Sequence, residues 1–347
     1  DNAIGIHHVD TVWDFGYTGE GISVAIIDTG IDPNHVSIND FDDDPTTNDP
    51  KVVAFYDALD DSGDDGSGTS QAYDDHGHGS HCAGITAGTG AVDEGLTSTG
   101  ETPYRGVAPG ATLVGVKVLD GGGSGSFAEV MKGMEWTIDN QIKYNIRSAS
   151  MSLGGVWLIE LTQEQEERVT TLANEMVAAG ISLMIAAGNS AGYGTIGTPG
   201  AAKDVITVGA TEDSRQLAVY SSKGPTHEGQ IKPNVAAIGS AVMSVEANTA
   251  NGYVSMSGTS MATPMVAGMA VLLHQANPDL QPLMIRSILE TTAEYRFLSH
   301  PVRPNNDYGW GFVEMDMALA EAIKYDASIS VELDPETPMI YYEGNET

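Results

Sequence analysis

Short apolar segments alternate with longer amphipathic segments along most of this 347-residue chain. Near-continuous runs of Val, Ile and Ala predict buried strands over residues 22–28, 112–119, 148–153, 181–187 and 204–210. Apolar residues at helical spacing predict helices over residues 78–87, 126–144, 162–179, 260–276, 281–292 and 314–324. This alternation predicts an α/β fold with a mainly parallel central sheet and helices on both of its faces.

The predicted strand over residues 22–28 ends on an acidic side chain, Asp28. Ligand-binding and catalytic groups gather at the carboxyl ends of strands in open α/β sheets. An aspartate in this position is also a common turn or cap residue, and Asp32, just before Pro33, fits that role better. Asp28 is therefore a candidate functional carboxylate.

A serine opens the apolar helix predicted over residues 260–276. Ser260 lies in Gly258–Pro264 (Gly-Thr-Ser-Met-Ala-Thr-Pro), after a glycine-rich loop. Free backbone N–H groups and the positive end of the helix dipole favour a developing oxyanion at such a place. A serine hydroxyl needs a nearby imidazole to take its proton, and that imidazole needs a carboxylate on its other nitrogen. The histidine-rich segment 76–84 offers the imidazole.

Four segments in this order resemble the motifs of the subtilisin-like serine proteases: 22–32, 76–84, 181–189 and 258–264. The resemblance implies a three-layer subtilisin-like catalytic domain over residues 1–324. It also implies a catalytic triad of Asp28, His78 and Ser260, with the oxyanion held by Asn189 and by the Ser260 backbone N–H. Ser80 replaces the threonine usual in the histidine motif. Cys82 lies where one branch of the family also has a free cysteine.

The same resemblance implies a peptide substrate that binds as an added strand and is cleaved through an acyl-enzyme. Two chain edges would hold the peptide, and a pocket would take the side chain before the scissile bond. These positions carry no charged residue, which predicts broad specificity with a preference for large apolar or aromatic side chains. The implied lining residues are Gly123, Ser124, Gly125, Ser152, Leu153, Gly154, Ala186, Ala187, Gly188 and Gly197.

The family resemblance further implies structural Ca²⁺. The aspartate of the family's strong site is replaced here by Ser37, so that site is not expected. A weaker site would use the backbone carbonyls of Lys203 and Val205 with Glu212 or Asp213. The acidic segments 40–49 and 57–75 offer further oxygen ligands, or simply a solvated surface.

Three other interpretations compete with the protease hypothesis. Gly188–Gly192 fits the nucleophile elbow of α/β-hydrolases, with Ser190 as the nucleophile. His76, His78 and His81 resemble the ligand run of a metallo-β-lactamase zinc site, although Ser80 replaces its carboxylate. A catalytically silent relative that serves as a binding module is the third, and the presence of all four active-site residues argues against it.

The charge of the chain excludes several partners. Fifteen basic and 48 acidic residues give a net charge of −33, which disfavours nucleic acid and anionic membranes. The balance is typical of proteins adapted to high salt, or of acidic exoproteins that bind divalent cations. A single cysteine excludes an intrachain disulfide. No apolar stretch reaches the roughly 18 residues that a membrane span needs.

These observations favour an extracellular, monomeric enzyme. The chain starts without a signal peptide, and the resemblance implies synthesis with an N-terminal propeptide that assists folding, inhibits the site and is then removed. Residues 325–347 become acidic and richer in proline. We expect a C-terminal extension there, either a tail or the first strand of a further β-domain.

Overall fold

Seven parallel strands form the centre of the structure, a computed structural model that describes residues 3–41, 49–63, 72–91, 104–155, 163–295 and 302–325. The sheet order is β3-β2-β4-β1-β5-β6-β7-β8, and only the short β3 is antiparallel to its neighbour. The strands are β1 Ser23–Asp28, β2 Val52–Asp57, β3 Ser62–Gly63, β4 Thr112–Lys117, β5 Ile146–Met151, β6 Ser182–Ala186, β7 Ile206–Thr211 and β8 Val235–Ile238.

Helices cover both faces of this sheet. They are α1 Ala3–Ile6, α2 Val9–Asp14, α3 His78–Ala87, α4 Phe127–Asp139, α5 Gln163–Ala178, α6 Thr259–Ala276, α7 Pro282–Thr292 and α8 Met315–Ala322. Successive side chains of β1 pack in two separate cores, Val24 and Ile26 with α3 and α6, Ala25 and Ile27 with α4 and α5. Because side chains alternate along a strand, a strand buried on both faces is apolar at every position. The structure thus confirms the predicted α/β fold with three layers.

All five predicted strands are present, and none of their ends differs from the prediction by more than two residues. The helix predicted over 126–144 ends at Asp139, and the chain then turns before β5. Three sheet strands were not predicted, and one of them is the two-residue β3. β8 has only four residues, and the apolar run of β2 stands next to acidic segments that dominate the local pattern.

An antiparallel hairpin precedes α6. It consists of β9 Val242–Val245 and β10 Tyr253–Met256, and β9 packs on α3. The hairpin therefore links the helix that starts at His78 to the loop that leads into Ser260. None of the helices in the described ranges is long and apolar enough to cross a bilayer. The predicted C-terminal extension, apart from residue 325, lies outside the described residues.

Candidate active site

Asp28 ends β1 at the point where the strand order of the sheet reverses. β1 pairs with β4 on one side and β5 on the other, so its carboxyl end faces a crevice between diverging connections. The side chain is fully buried. Its Oδ1 accepts hydrogen bonds from the Thr29 N–H (2.7 Å) and from His78 Nδ1 (2.8 Å). Oδ2 is buried without a hydrogen-bond partner in the described part of the chain, so His78 is the side chain that Asp28 stabilises.

His78 is the first residue of α3, and two glycines bring it to Asp28. Gly77 caps the helix in the left-handed region at φ 98°, which a side chain would strain. A Cβ on Gly79 would lie 2.1 Å from the Gly30 carbonyl oxygen. Only glycine allows the start of α3 to pack directly on the chain leaving β1.

The environment of His78 makes it a stronger base than free imidazole. Burial alone would lower its pKa, but the charge and hydrogen bond of Asp28, with a contribution from the Cys82 sulfur, outweigh burial and raise the pKa well above its ordinary value. Because the Nδ1–H is held by Asp28, Nε2 is the nitrogen left to accept a proton. In this arrangement His78 can act as a general base through Nε2 while Asp28 holds Nδ1–H.

Asp74, which sequence reasoning missed, holds the loop that leads to His78. It is 2% exposed and accepts five hydrogen bonds, from the backbone N–H groups of His76, Gly77 and Ser80 and from the hydroxyls of Thr29 and Ser80. Burial alone would raise the pKa of Asp74, but the hydrogen bonds outweigh it and lower the pKa. Ser80 also accepts from the Asp32 N–H (2.9 Å). A hydroxyl at position 80 therefore ties the histidine motif to the turn after β1.

Ser260 lies in the first turn of α6 and is half-buried. Its Oγ donates to the Ser152 carbonyl oxygen (3.3 Å), and no hydrogen bond joins it to His78 within the described residues. Catalytic hydrogen bonds are often absent from unliganded sites and form when substrate binds.

The backbone carbonyl of Ser260 has an unusual set of partners. Pro264 lies four residues further in α6 and has no N–H to donate back. The Ser260 carbonyl oxygen instead accepts the Ser152 hydroxyl (2.8 Å) and the Cys82 thiol (3.4 Å). These two bonds fix the serine backbone to the cleft edge and to α3, respectively. The buried thiol of Cys82 thus has a structural partner.

Asn189 follows β6 and is exposed toward the same space. Its side-chain Oδ1 accepts the Thr259 backbone N–H (2.9 Å) and the Thr259 hydroxyl (3.0 Å). Since both partners are donors, the orientation of the amide is determined, and Nδ2 is left as the outward donor. The Ser260 N–H has no acceptor among the described residues. Two N–H donors are therefore available beside the serine hydroxyl.

A cleft of about 910 Å³ runs from His78 between the two predicted substrate edges. It brings together six of the ten residues predicted to bind substrate, namely Gly123, Ser124, Gly125, Ser152, Leu153 and Gly154. The other four, Ala186, Ala187, Gly188 and Gly197, are not part of this lining. They meet each other instead, since the Gly197 N–H donates to the Ala187 carbonyl oxygen (3.2 Å).

A buried carboxylate supports this second wall from behind. Gly155 and Thr198 exchange two backbone hydrogen bonds of 2.9 Å, which joins the cleft edge to the segment after Gly197. The Thr198 hydroxyl donates to Glu166 on α5 (3.0 Å), and His227 lies 3.3 Å from the same carboxylate. Sequence reasoning missed Glu166 because its position on a charged helix resembles an ordinary solvated one.

Both carbonyls of the predicted calcium site, Lys203 and Val205, already have side-chain partners in the structure. Each carbonyl already accepts a cationic side chain, Lys203 from Arg286 (2.6 Å) and Val205 from Lys232 (3.2 Å). Lys232 is fully buried, and burial lowers the pKa of its ammonium well below the ordinary value. Glu212 and Asp213 are exposed at a turn. A divalent cation at these carbonyls would have to share the two oxygens with the resident donors or displace them.

The zinc interpretation also finds no support in the described ranges. His81 is buried, and its Nε2 contacts the Val254 carbonyl oxygen (3.0 Å). Burial lowers the pKa of His81 to about 4. Only Asp28, His78 and Cys82 bring three metal-ligating atoms within 4.8 Å of one another in the described part. These three atoms are the aspartate–histidine pair and the thiol already described.

The nucleophile-elbow interpretation places Ser190 on an exposed turn after β6. The Ser190 N–H donates to the Ser222 hydroxyl (3.1 Å). No histidine is hydrogen-bonded to the Ser190 hydroxyl within the described residues. Within the described ranges the turn shows no base beside Ser190, so this interpretation gains no support from the structure.

Comparison with known proteins gives one consistent family. A sequence profile of the subtilase family matches residues 19–311. Serine protease AprX of Bacillus subtilis (strain 168) is 37% identical over 329 residues, 87% of this chain and 67% of that protein. Subtilisin DY of Bacillus licheniformis is 34% identical over 287 residues, 82% of this chain and 88% of that protein.

Solved structures agree with the sequence relatives. A cold-adapted subtilisin-like serine proteinase has a TM-score of 0.65 and 29% identity, covering 85% of this chain and 90% of the other. The CspB protease of Clostridium perfringens, at 18% identity, shares the fold with a TM-score of 0.79, over 94% of this chain and all of the other. Profile, relatives and fold together show that the chain belongs to the subtilase family and is a serine endopeptidase.

Proposed function

We propose that this endopeptidase cleaves peptide bonds through an acyl-enzyme, with Asp28, His78 and Ser260 as its catalytic triad. Ser260 Oγ turns from the Ser152 carbonyl to His78 Nε2, loses its proton to the imidazole and attacks the scissile carbonyl carbon. His78 then gives that proton to the leaving amine, and water repeats the sequence to release the acyl group. Asp28 holds the Nδ1–H throughout and stabilises the imidazolium.

The tetrahedral oxyanion in this proposal is bound by Asn189 Nδ2 and the Ser260 N–H. Support comes from the orientation of the Asn189 amide, whose oxygen is held by two Thr259 donors. A preorganised donor does not have to reorient as charge develops, which is why such groups contribute strongly to catalysis. The 2.8 Å pair of His78 and Asp28 at the switch point of the sheet is the observation that carries the proposal.

Substrate specificity in this proposal comes from the cleft edges and the wall of Ala186, Ala187, Gly188 and Gly197. A peptide adds as a strand between the edges, and the wall receives the side chain before the scissile bond. No charged side chain belongs to that wall, and Glu166 reaches it only through the Thr198 hydroxyl. We therefore propose a preference for large apolar or aromatic residues at this position.

We also propose that the enzyme is secreted as a monomer. Subtilases act on polypeptides and are generally made with propeptides, and residues 1–324 would be the catalytic domain that remains, with 325–347 as an extension. Any structural Ca²⁺ is proposed to bind the acidic segments 40–49 and 57–75, which lie partly outside the described residues, rather than Lys203 and Val205.

The deciding experiment is hydrolysis of a peptide p-nitroanilide with phenylalanine before the cleaved bond. Ser260→Ala should lose at least about 10⁴-fold in kcat, because triad members act as a unit. Ser190→Ala is the matched control and should retain wild-type activity. Activity that survives in Ser260→Ala would refute the triad, and faster cleavage after lysine than after phenylalanine would refute the proposed specificity.

A further inference from the structure

The cleft differs in charge from the rest of the molecule. Acidic residues number 48 of 347, yet no Asp or Glu is among the described residues that line the cleft. At the frequency found in the chain, two or three carboxylates would be expected on a lining of this size. The charged and basic side chains that do line it are His76, His78 and Arg168. The described lining of the cleft is thus a local exception to the acidic character of the molecule.

Arg168 is a residue of α5 that lines the cleft. It lines the cavity together with Gln165, one turn earlier on the same helix. The side chain is exposed, and it forms no ion pair with any residue that the structure describes. The chain has only 15 basic residues for 48 acidic ones. Arg147 and Arg303 also form no ion pair among the described residues, but both donate to backbone carbonyls. Arg168 has neither kind of partner in the described part of the chain.

The surroundings of Arg168 suit a ligand that has an apolar stem and an anionic end. Apolar side chains line the neighbouring part of the cleft, among them Val130, Met131 and Leu153. A planar guanidinium can bind a carboxylate through two parallel hydrogen bonds. Apolar walls reduce the water around such a pair and strengthen it.

We propose that Arg168 makes the enzyme selective for peptides with a glutamate on the acyl side, several residues before the scissile bond. The inference rests on the proposed function, in which the acyl side of the peptide lies between the two cleft edges. Successive residues of a bound strand advance about 3.3 Å and alternate in direction. One side chain of the peptide can therefore face Arg168 while its neighbours point away.

Long-range repulsion opposes this selection and determines how it must be measured. A net charge of −33 repels an anionic peptide at low salt, whichever residue stands at position 168. That repulsion is screened beyond a few ångströms near 0.5 M salt, whereas a close pair is screened much less. The informative quantity is therefore the glutamate-to-glutamine ratio in kcat/KM at 0.5 M NaCl, compared between variants.

The test uses p-nitroanilide peptides that are identical except for Glu or Gln at one of the second to fifth residues before the cleaved bond. Wild type should prefer glutamate at one of these positions by roughly threefold to tenfold, the range expected for a partly shielded ion pair. Arg168→Met should abolish the preference, and Arg168→Lys should retain part of it. Lys132→Met, which removes a positive charge on α4 outside the cleft lining, is the matched control and should behave as wild type.

The outcomes separate this inference from the proposed function. Hydrolysis of the glutamine peptides that depends on Ser260, with no Arg168-dependent glutamate preference at any position, overturns the inference and leaves the triad intact. An equal loss of preference in Lys132→Met would also overturn it, because the effect would then come from net charge. Failure of Ser260→Ala to abolish hydrolysis would remove the proposed function and this inference together.

Discussion

The functional side chains of this site are held in place by partners that are easily overlooked. Asn189 illustrates this at the scale of single residues, because Thr259 fixes its amide through two donors to one oxygen. We expect Asn189→Ala to lower kcat by about 10²–10³-fold with little change in KM, since the lost donor acts mainly in the transition state. Steady-state kinetics on the phenylalanine p-nitroanilide measures this directly.

Thr259→Val provides the control for this prediction. It removes the hydroxyl donor to Asn189 and leaves the backbone donor, so its loss in kcat should be much smaller than that of Asn189→Ala. A higher KM with unchanged kcat in Asn189→Ala would contradict an oxyanion role and indicate that Asn189 binds the substrate in its ground state instead.

The raised pKa of His78 predicts the pH dependence of the enzyme. Burial lowers this pKa, but the Asp28 charge and hydrogen bond raise it further, to well above the ordinary value. A general base works only when neutral, so kcat/KM should increase as the pH rises through this pKa and level off above it, giving an alkaline optimum. Asp28→Asn should lower kcat by about 10⁴-fold. The inflection of its kcat/KM profile should lie at lower pH than that of the wild type.

The pH profile distinguishes catalysis from folding. A His78 pKa raised by folding contributes stability below its unfolded value of about 6.5, and that stability is lost as the pH rises through the folded pKa. Stability should therefore fall over the range in which activity rises. An activity increase that parallels an increase in the free energy of unfolding would contradict this assignment.

At the scale of elements, α3, α6 and the cleft edge meet at one atom, the carbonyl oxygen of Ser260. Pro264 leaves this oxygen without its helical donor, and Ser152 and Cys82 replace it. A mercury atom on Cys82 cannot fit in the fully buried position without moving α3 against α6. We expect one equivalent of a mercurial to inactivate the enzyme by shifting Ser260 relative to His78.

The reaction should be slow, because burial raises the pKa of the Cys82 thiol despite the opposing effect of His78. Cys82→Ala should resist the mercurial and remain active, since Ser152 still donates to the Ser260 carbonyl. Titration of residual activity against bound mercury measures the effect. Full activity at one equivalent bound to Cys82 would disprove the coupling of the two helices at this point.

The sequence predicts elements well where a local pattern determines them, and it proposes active-site residues at the ends of those elements. Asp28, Asn189 and Ser260 each stand where an apolar run begins or ends, and the ends of such runs can be located from residue order alone. Asp74 could not be recognised in this way, because its five donors come together only after α3 packs on the chain leaving β1. The only sign in the sequence is its place four residues before the helix begins.

The partners of the predicted calcium ligands were missed for a related reason. Carbonyls at Lys203 and Val205 are suitable ligands considered alone, but their partners Arg286 and Lys232 are distant in sequence. Sequence order gives no indication that two cationic side chains fold back on these carbonyls. Arg168 is a similar case, because it is distant in sequence from most other residues of the cleft lining, which belong to segments 119–131 and 152–155.

At the scale of the whole molecule, the net charge of −33 must oppose folding. The charges are closer together in the folded state than in the unfolded chain, so screening should stabilise the folded state. We expect the unfolding free energy of the Ser260→Ala protein, which cannot digest itself, to increase with NaCl. Most of the increase should occur below about 0.5 M, where the screening length falls to a few ångströms.

The shape of that increase decides between two origins of the acidic surface. Denaturant unfolding is measured against NaCl in the presence of a chelator, and then at fixed low salt against added Ca²⁺. Saturation near 0.5 M NaCl with little response to Ca²⁺ means that general screening relieves the repulsion, as expected for a protein adapted to salt. A large gain at millimolar Ca²⁺, absent with Mg²⁺, means instead that the folded protein binds the ion specifically, as proposed for the acidic segments 40–49 and 57–75. A salt-independent free energy of unfolding would refute self-repulsion as a term in the stability of this chain.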